Sequence, residues 1–248
     1  MTTDILRIRH GAVAELRFNR PSKKNAITGA MYGALTAALS DAAADEGTRA
    51  VLITGAGDTF TAGNDIADFL ASSGQEELPA VRFIHAIAAF PKPLVAAVGG
   101  PAIGVGTTLL LHCDLVYAAP EARFAVPFVD LGLVPEAGSS MLLPTALGAH
   151  RANAMLLLGE AMDAQAAAAA GFVALAPAEA LHAQALDAAA RLAAKPPAAL
   201  MASRALVRRG GEAIRAHMRV EEAAFATALA GPEARRALEA FLNRRAPP

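Results

Sequence analysis

Two glycine-bearing turns are the first places in this sequence where the backbone itself could do chemistry. One covers residues 60–65 (Phe-Thr-Ala-Gly-Asn-Asp) and the other residues 100–107 (Gly-Pro-Ala-Ile-Gly-Val-Gly-Thr). Each leads into a predicted helix, whose first N–H groups lack intrahelical acceptors and favour negative charge. Two such turns facing each other could hold a developing oxyanion between two N–H donors. The same pattern fits tight turns that only let small-residue elements pack closely, so spacing alone leaves both interpretations open.

The motifs of several common enzyme classes are absent from the sequence. It contains no Gly-Lys-Ser/Thr phosphate loop, no His-Glu-x-x-His, no Gly-x-Ser-x-Gly, and its six histidines are scattered. Gly55-Ala56-Gly57 follows a predicted strand, but Phe60 stands where a dinucleotide-binding turn has its third glycine. A conventional hydrolase, kinase or dehydrogenase is therefore disfavoured.

Composition and charge exclude further classes of protein. The chain has 248 residues, 22 basic and 23 acidic side chains and a formal net charge of -1, which indicates no partner among nucleic acids or anionic membranes. Cys113 is the single cysteine, so we expect no internal disulfide, too few cysteines for a zinc site, and no metal. Residues 93–113 lack charged side chains, but glycines and a proline interrupt them, and we expect a cytoplasmic protein without a membrane span.

The elements that must position the two turns alternate between strand and helix, which predicts an α/β core with parallel pairing. Thr28, Asp65 and Asp163 are the predicted N-caps. After about residue 137 the pattern becomes helix upon helix. The predicted strands are 5–10, 12–18, 50–54, 94–98, 115–118 and 172–175; the predicted helices are 28–44, 66–72, 81–90, 105–111, 163–170, 177–194, 197–209, 212–229 and 232–244.

Four ordered blocks make the sequence resemble the crotonase superfamily, also called the enoyl-CoA hydratase/isomerase family. They are residues 19–26 (Asn-Arg-Pro-Ser-Lys-Lys-Asn-Ala), 60–66, 100–106 followed by Cys113-Asp114, and 131–138 (Leu-Gly-Leu-Val-Pro-Glu-Ala-Gly). The resemblance spans nearly the whole chain. It implies a spiral of ββα units over residues 1–195 with the active site, and a C-terminal helical oligomerisation region over residues 196–248.

The same resemblance implies what the protein binds and how it assembles. The expected substrate is an enoyl-CoA thioester, with CoA as part of the substrate and no separate cofactor. The expected assembly is a homotrimer or a dimer of trimers. By position, the backbone N–H groups of Asn64 and Val105 would form the oxyanion hole.

The choice of reaction depends on carboxylates. The family's hydratases hold a water between two glutamates, and at the matching positions this chain has Thr108 and Phe128, neither of which can act as a base. Glu136 instead stands where the Δ3,Δ2-enoyl-CoA isomerases of the peroxisomal type, which this sequence resembles, have their catalytic glutamate. We expect the apolar surroundings of Glu136, Phe128 included, to raise its pKa by desolvation. The alternative is a glutamate in the first turn of a helix after Pro135, favourable to the helix dipole and nothing more.

The remaining polar candidates have simpler alternatives beside their functional interpretation. Lys23 and Lys24 could meet the phosphates of CoA or could be merely solvated, and Asp65 suits an N-cap better than catalysis. Ser139 and Ser140 could bond near Glu136 or cap a helix, Asp114 would secure a turn, and His85, His112 and Cys113 would belong to the core. The substrate-contacting residues implied by the resemblance are Lys23, Lys24, Ala26, Ala62, Gly63, Asp65, Ile66, Gly104, Thr108 and Phe128.

Two other functions remain open at this level. An enoyl-CoA hydratase would use Glu136 alone to activate water. A catalytically silent acyl-CoA binder would keep the pocket without turnover. The C-terminal arginines 204, 208, 209, 215 and 219 indicate solvated helix faces rather than a nucleic-acid surface.

Overall fold

A computed structural model describes residues 2–72, 78–208 and 210–245. The strands within these ranges are β1 Ile5–His10, β2 Val13–Phe18, β3 Ala50–Gly55, β4 Leu94–Val98, β5 Pro101–Ile103, β6 Leu115–Ala118, β7 Arg123–Ala125, β8 Met162–Asp163 and β9 Ala174–Leu175. The helices are α1 Gly29–Ala44, α2 Ile66–Ser72, α3 Pro79–Ala88, α4 Val105–Thr108, α5 Ser139–Leu147, α6 Ala149–Leu158, α7 Ala164–Ala169, α8 Leu181–Ala193, α9 Pro197–Val207, α10 Gly211–Ala230 and α11 Pro232–Arg245.

The main sheet has the strand order β1-β2-β3-β4-β6-β9. Its β1–β2 hairpin is antiparallel, and every later pair is parallel. Strands β3 and β4 are apolar and almost fully buried because both faces of the sheet are covered. On one face Leu52 and Val95 belong to a cluster with Ala185 and Ala189 of α8, whose small side chains suit close packing.

A second, three-stranded sheet has the order β5-β7-β8. Its strands follow those of the main sheet along the chain, so β4 leads through β5 into α4, and β6 leads into β7. After β3, Thr61 makes a parallel bridge to Ala102 of β5 before α2 begins. This repetition is the predicted α/β spiral of ββα units, which the structure confirms.

The N-caps of helices were predicted more reliably than the short strands. The N–H of Met31 donates to Thr28 Oγ1 at 3.3 Å, and that of Ala166 donates to Asp163 Oδ1 at 2.7 Å, as expected of N-caps. The second sheet was not predicted, because strands of two or three residues show no periodicity and depend on partners distant in sequence. The strand predicted over 172–175 contains only Ala174–Leu175, and the helix predicted over 105–111 gives way to a 3₁₀ turn at Leu109–His112.

The C-terminal helices α9, α10 and α11 match the predicted segments within a few residues. Residue 209, the end of the helix predicted over 197–209, lies outside the described residues. The expectation that the arginines here are solvated is wrong for Arg204. Its side chain is only 10% exposed and pairs with Asp114, and its Nε lies 2.8 Å from Asp114 Oδ1. Nowhere in the described ranges is a helix long and apolar enough to cross a membrane.

Candidate active site

A cavity of about 1400 Å³ lies beside the two glycine-bearing turns. Residues of α3, α10 and α11 form other parts of its wall, including Ile84, Phe225 and Leu238. Thr108 is the one predicted site residue that is not in the lining; it is fully buried behind Glu136. The predicted site residues that line the cavity are Lys23, Lys24, Ala26, Ala62, Gly63, Asn64, Asp65, Ile66, Gly104, Val105, Phe128 and Glu136.

The two turns are held against each other by their backbones. A Cβ on Gly63 would lie 2.7 Å from the carbonyl oxygen of Ile103, and the φ of Gly63 is +81°. Gly104 has φ 56° and ψ -121°, which is also a region that side chains disfavour. Glycine is therefore required at Gly63 for the turns to approach and at Gly104 for the backbone conformation.

The N–H groups that follow these glycines are unused. Among the described residues, no protein acceptor is found for the N–H of Asn64 or of Val105. Their neighbours are occupied, since Gly63 donates to Thr61 Oγ1 at 3.1 Å and Gly104 to the carbonyl of Ala125 at 2.8 Å. Two free donors beside one cavity are what an oxyanion hole requires.

Glu136 lies in a strained turn and not in the first turn of a helix, because α5 begins only at residue 139. The residue after it, Ala137, has φ +60°, which is uncommon for a side-chain-bearing residue. The carbonyl of Ala137 accepts a hydrogen bond from Nε2 of His112 at 2.8 Å, and the N–H of Gly138 donates to Glu221 Oε2 at 2.5 Å. Two buried side chains therefore fix the turn that presents Glu136.

The carboxyl group of Glu136 is buried, and only one of its two oxygens has a hydrogen-bond partner among the described residues. Its Oε1 accepts a hydrogen bond from Thr108 Oγ1 at 2.5 Å, whereas Oε2 has no hydrogen-bond partner among the described residues. The pKa of Glu136 is raised to about 7. Burial has the largest effect and raises it, the hydrogen bond from Thr108 lowers it, and the charge of Glu221 raises it. The predicted direction of this shift is confirmed. A carboxyl group with this pKa can take up and release a proton near neutral pH.

Comparison with known proteins agrees with this arrangement. The model of the enoyl-CoA hydratase/isomerase family matches residues 9–248. The chain belongs to the enoyl-CoA hydratase/isomerase family. It is similar to enoyl-CoA delta isomerase 2 of Rattus norvegicus, with 44% identity over 176 residues, 68% of this chain and 45% of the relative. It is also 34% identical to 2,3-dehydroadipyl-CoA hydratase of Escherichia coli K12, over 99% of this chain and 98% of the relative.

Solved structures extend the match to the whole fold. The crystal structure of an enoyl-CoA hydratase/isomerase from Pseudoalteromonas atlantica T6c superposes with a TM-score of 0.92 at 42% identity, covering 99% of each chain. The match to the rat isomerase, by contrast, spans less than half the length of that relative. The comparisons therefore show the family and the fold, and the relatives include an isomerase and a hydratase.

Tyr32 is a site residue of this family member that the sequence analysis missed. It is 3% exposed, lines the cavity, and donates from its hydroxyl group to Asn64 Oδ1 at 2.5 Å. Burial raises the pKa of Tyr32, and the charges of Glu136 and Asp68 raise it further, so the hydroxyl group stays protonated. The signal in the sequence was only a tyrosine on the apolar face of α1, which is the usual pattern of a core residue.

Glu136 is not the only carboxylate in the cavity wall, because Asp65, Asp130 and Glu222 also line it. Asp65 Oδ2 accepts a hydrogen bond from Arg20 at 2.7 Å, and Oδ1 accepts one from the N–H of residue 68, as expected of an N-cap. Glu222 lies 2.6 Å from His85. Asp65 is thus paired with Arg20, Glu222 lies against His85, and Asp130 is exposed.

His85 and the capping role of the two serines need correction. His85 was expected in the core, but its side chain is 36% exposed, lines the cavity and lies against Glu222. Ser140 Oγ donates to Glu221 at 2.5 Å, and Glu221 also holds the N–H of Gly138 near Glu136, but α5 has no side-chain cap from either serine. Sequence alone could not show these contacts, because Glu221 lies 81 residues after Ser140 and Glu222 is still further along the chain from His85.

Lys23 and Lys24 are exposed at the cavity wall. The expectations for His112, Cys113 and Asp114 agree with the structure. His112 is 4% exposed, and burial lowers its pKa to about 4, so it is a neutral core residue. Burial likewise raises the pKa of the Cys113 thiol to about 12. Asp114 secures a turn by accepting the N–H of Leu94 at 2.8 Å.

Proposed function

We propose that this family member is a Δ3,Δ2-enoyl-CoA isomerase with Glu136 as its proton carrier. The observation that carries the proposal is the unpartnered, buried Oε2 of Glu136 in a cavity that also presents the unused N–H groups of Asn64 and Val105. One basic carboxylate and one oxyanion hole are the groups that a 1,3 proton shift needs.

The proposed reaction begins with the thioester carbonyl on the N–H groups of Asn64 and Val105. Glu136 removes a proton from C2, and the electrons of that C–H bond move into the thioester to form a dienolate. The N–H donors stabilise the negative charge on the thioester oxygen. The same carboxyl group then returns the proton to C4, the double bond moves from C3–C4 to C2–C3, and Glu136 is regenerated as a carboxylate.

Two side chains favour isomerisation over hydration. Thr108 and Phe128 occupy the two positions at which the family's hydratases have the glutamates that hold the water. The hydroxyl group of Thr108 donates its hydrogen bond to Glu136. Phe128, which is 6% exposed, is an apolar part of the cavity wall. A dry space beside Glu136 disfavours attack by water on the substrate.

Two further candidates remain to be tested against this one. The relative from Escherichia coli named a hydratase matches over the full length, which supports hydration with Glu136 activating water alone. A silent acyl-CoA binder would retain the same cavity without turnover.

We also propose that the chain forms a homotrimer or a dimer of trimers through its C-terminal helices and that it acts in the cytoplasm. The exposed apolar side chains Leu206, Val207 and Val220, which are 65%, 84% and 65% exposed, support an oligomeric contact. The enoyl-CoA thioester is then the small-molecule partner, with CoA as part of the substrate.

The decisive experiment incubates the purified protein separately with a 3-enoyl-CoA and a 2-enoyl-CoA. We expect the 3-enoyl-CoA to become the 2-enoyl-CoA, and the 2-enoyl-CoA to yield little 3-hydroxyacyl-CoA. A 3-hydroxyacyl product without isomerisation would establish the hydratase, and tight binding without any turnover would establish the silent binder.

The matched variant is Glu136→Gln, which keeps the shape of the side chain but removes the base. Isomerase activity should fall by roughly 10²–10⁴-fold, while the affinity for the CoA thioester changes little. The control is Glu160→Gln, an exposed carboxylate outside the cavity, which should retain wild-type activity. Full activity in the Glu136 variant would disprove its role.

A further inference from the structure

Two of the scattered histidines meet at a buried glutamate far from the candidate active site. Glu15 of β2 is fully buried, and its Oε2 lies 2.8 Å from Nε2 of His10 and 3.1 Å from Nε2 of His182. His10 ends β1, whereas His182 belongs to α8, so the cluster joins the edge hairpin to the helix that covers the sheet. None of these three residues lines the catalytic cavity.

The three atoms converge as the ligands of a small cation do. All of them, two imidazole nitrogens and one carboxylate oxygen, lie within 4.8 Å of one another. Zinc binds such atoms at about 2.0–2.2 Å, which places neighbouring ligands roughly 3.3 Å apart. The distances of 2.8 and 3.1 Å from Glu15 Oε2 to the two nitrogens are close to this separation, so rotation of the histidine rings would admit an ion. The histidine side chains are 29% and 44% exposed, so a solvent water could reach the fourth position.

The second carboxylate oxygen of Glu15, Oε1, is already held by hydrogen bonds. Oε1 of Glu15 accepts hydrogen bonds from Thr54 Oγ1 at 2.7 Å and from Arg17 Nε at 2.9 Å, which leaves Oε2 turned to the histidines. Partners of this kind fix the ligands of metal sites in place.

Arg17 also sets a limit on the strength of the site. Its positive charge already balances Glu15, so the attraction that a cation feels comes mainly from ligand bonds and less from net charge. Imidazole and carboxylate ligands suit zinc better than magnesium or calcium, which prefer all-oxygen sites.

We propose that His10, Glu15 and His182 form a zinc-binding site that fastens the N-terminal hairpin to α8. The sequence predicted no metal, because the two histidines are separated by most of the chain and no ligand spacing reveals them. The site is independent of the proposed isomerase reaction.

The test titrates zinc chloride into tag-free protein by isothermal calorimetry and follows thermal unfolding with and without the metal. Wild type should bind one zinc per chain and unfold at a higher temperature when zinc is present. His10→Ala and His182→Ala should each weaken zinc affinity at least about tenfold and lose the thermal shift. His150→Ala, which removes an exposed histidine on α6, should behave as wild type.

A measurement on the unaltered protein guards against variants that fold poorly. Long-range ¹H–¹⁵N spectra of the histidine rings should show two imidazoles shifting together at one equivalent of zinc. The proposal is overturned if wild type binds no zinc, if the His10 and His182 variants bind it as tightly as wild type, or if the shifted rings belong to other histidines.

Discussion

Glu136 combines two properties that a proton carrier needs, a raised pKa and one oxygen free of protein partners. Its pKa of about 7 is the balance between burial, which raises it, and the hydroxyl group of Thr108, which lowers it. Thr108 therefore acts through Glu136, as a positioning residue, and the pH dependence of the proposed reaction should report on it.

The first prediction concerns that pH dependence. Since the base must be ionised, kcat/KM for a 3-enoyl-CoA should fall as pH drops below about 7. Thr108→Val removes the donor that favours the carboxylate, so the acidic limb of the profile should move to higher pH by about one unit. The exposed Thr145→Val on α5 is the control and should leave the limb in place. An unmoved limb in the Thr108 variant would show that this hydrogen bond does not tune the base.

The candidate site residues could be predicted from the sequence better than the residues that hold them in place. Asn64, Val105 and Glu136 were predicted because they lie in local turns with recognisable patterns, and the structure places them around one cavity. Tyr32 and Glu221 were missed, because their contacts with these turns depend on how distant helices pack. Their residue types and helical spacing do not differ from those of ordinary core or surface positions.

At the scale of elements, a partly buried ion pair between Arg204 and Asp114 attaches α9 to the sheet. Arg204 Nε lies 2.8 and 2.9 Å from the two carboxylate oxygens of Asp114, and its Nη1 donates to the carbonyl of Phe90 at 3.0 Å. Asp114 in turn accepts the N–H of Leu94 at the start of β4. Helix, turn and strand are thus connected through a single carboxylate.

Removing this arginine should cost far more than removing a surface one. Arg204→Ala leaves Asp114 without its principal charge partner, so the free energy of unfolding should fall by about 3 kcal/mol. Arg235 pairs with Glu239 at 3.1 Å within α11, but the two side chains are 77% and 54% exposed. Arg235→Ala should therefore cost no more than about 0.5 kcal/mol. Denaturant unfolding at one protein concentration measures both, and equal losses would contradict the role given to the Asp114 pair.

At the scale of the whole molecule, the alternation of strand and helix predicted the spiral, and the alanine-rich composition fits its close packing. Leu52 and Val95 contact alanines of α8 on one face of the main sheet. The sequence could not predict the second sheet, because its two- and three-residue strands are fixed only by neighbouring turns of the spiral. Long-range pairing, and not local preference, decides such strands.

The buried carboxyl group of Glu136 also makes the stability of the whole fold depend on pH. Its pKa is about 7 in the folded protein, above the ordinary value of 4.5. The folded state therefore holds this proton more tightly than the unfolded state does. The stabilisation that results is complete below pH 4.5 and is lost as pH rises through 7. At about 1.4 kcal/mol for each pH unit, the loss is on the order of 3 kcal/mol.

Glu136→Gln removes this dependence, because the amide stays neutral at every pH. We expect the variant to gain stability relative to wild type between pH 5 and pH 8, by up to about 3 kcal/mol. Any constant cost of placing an amide beside Thr108 cancels, since the readout is the change between the two pH values. Chemical unfolding of both proteins at each pH measures it, with the exposed Glu160→Gln as a control that should track wild type. If the stability difference between Glu136→Gln and wild type is the same at both pH values, the carboxyl group titrates normally. The proposed base would then lack the burial that makes it suitable for proton transfer near neutral pH.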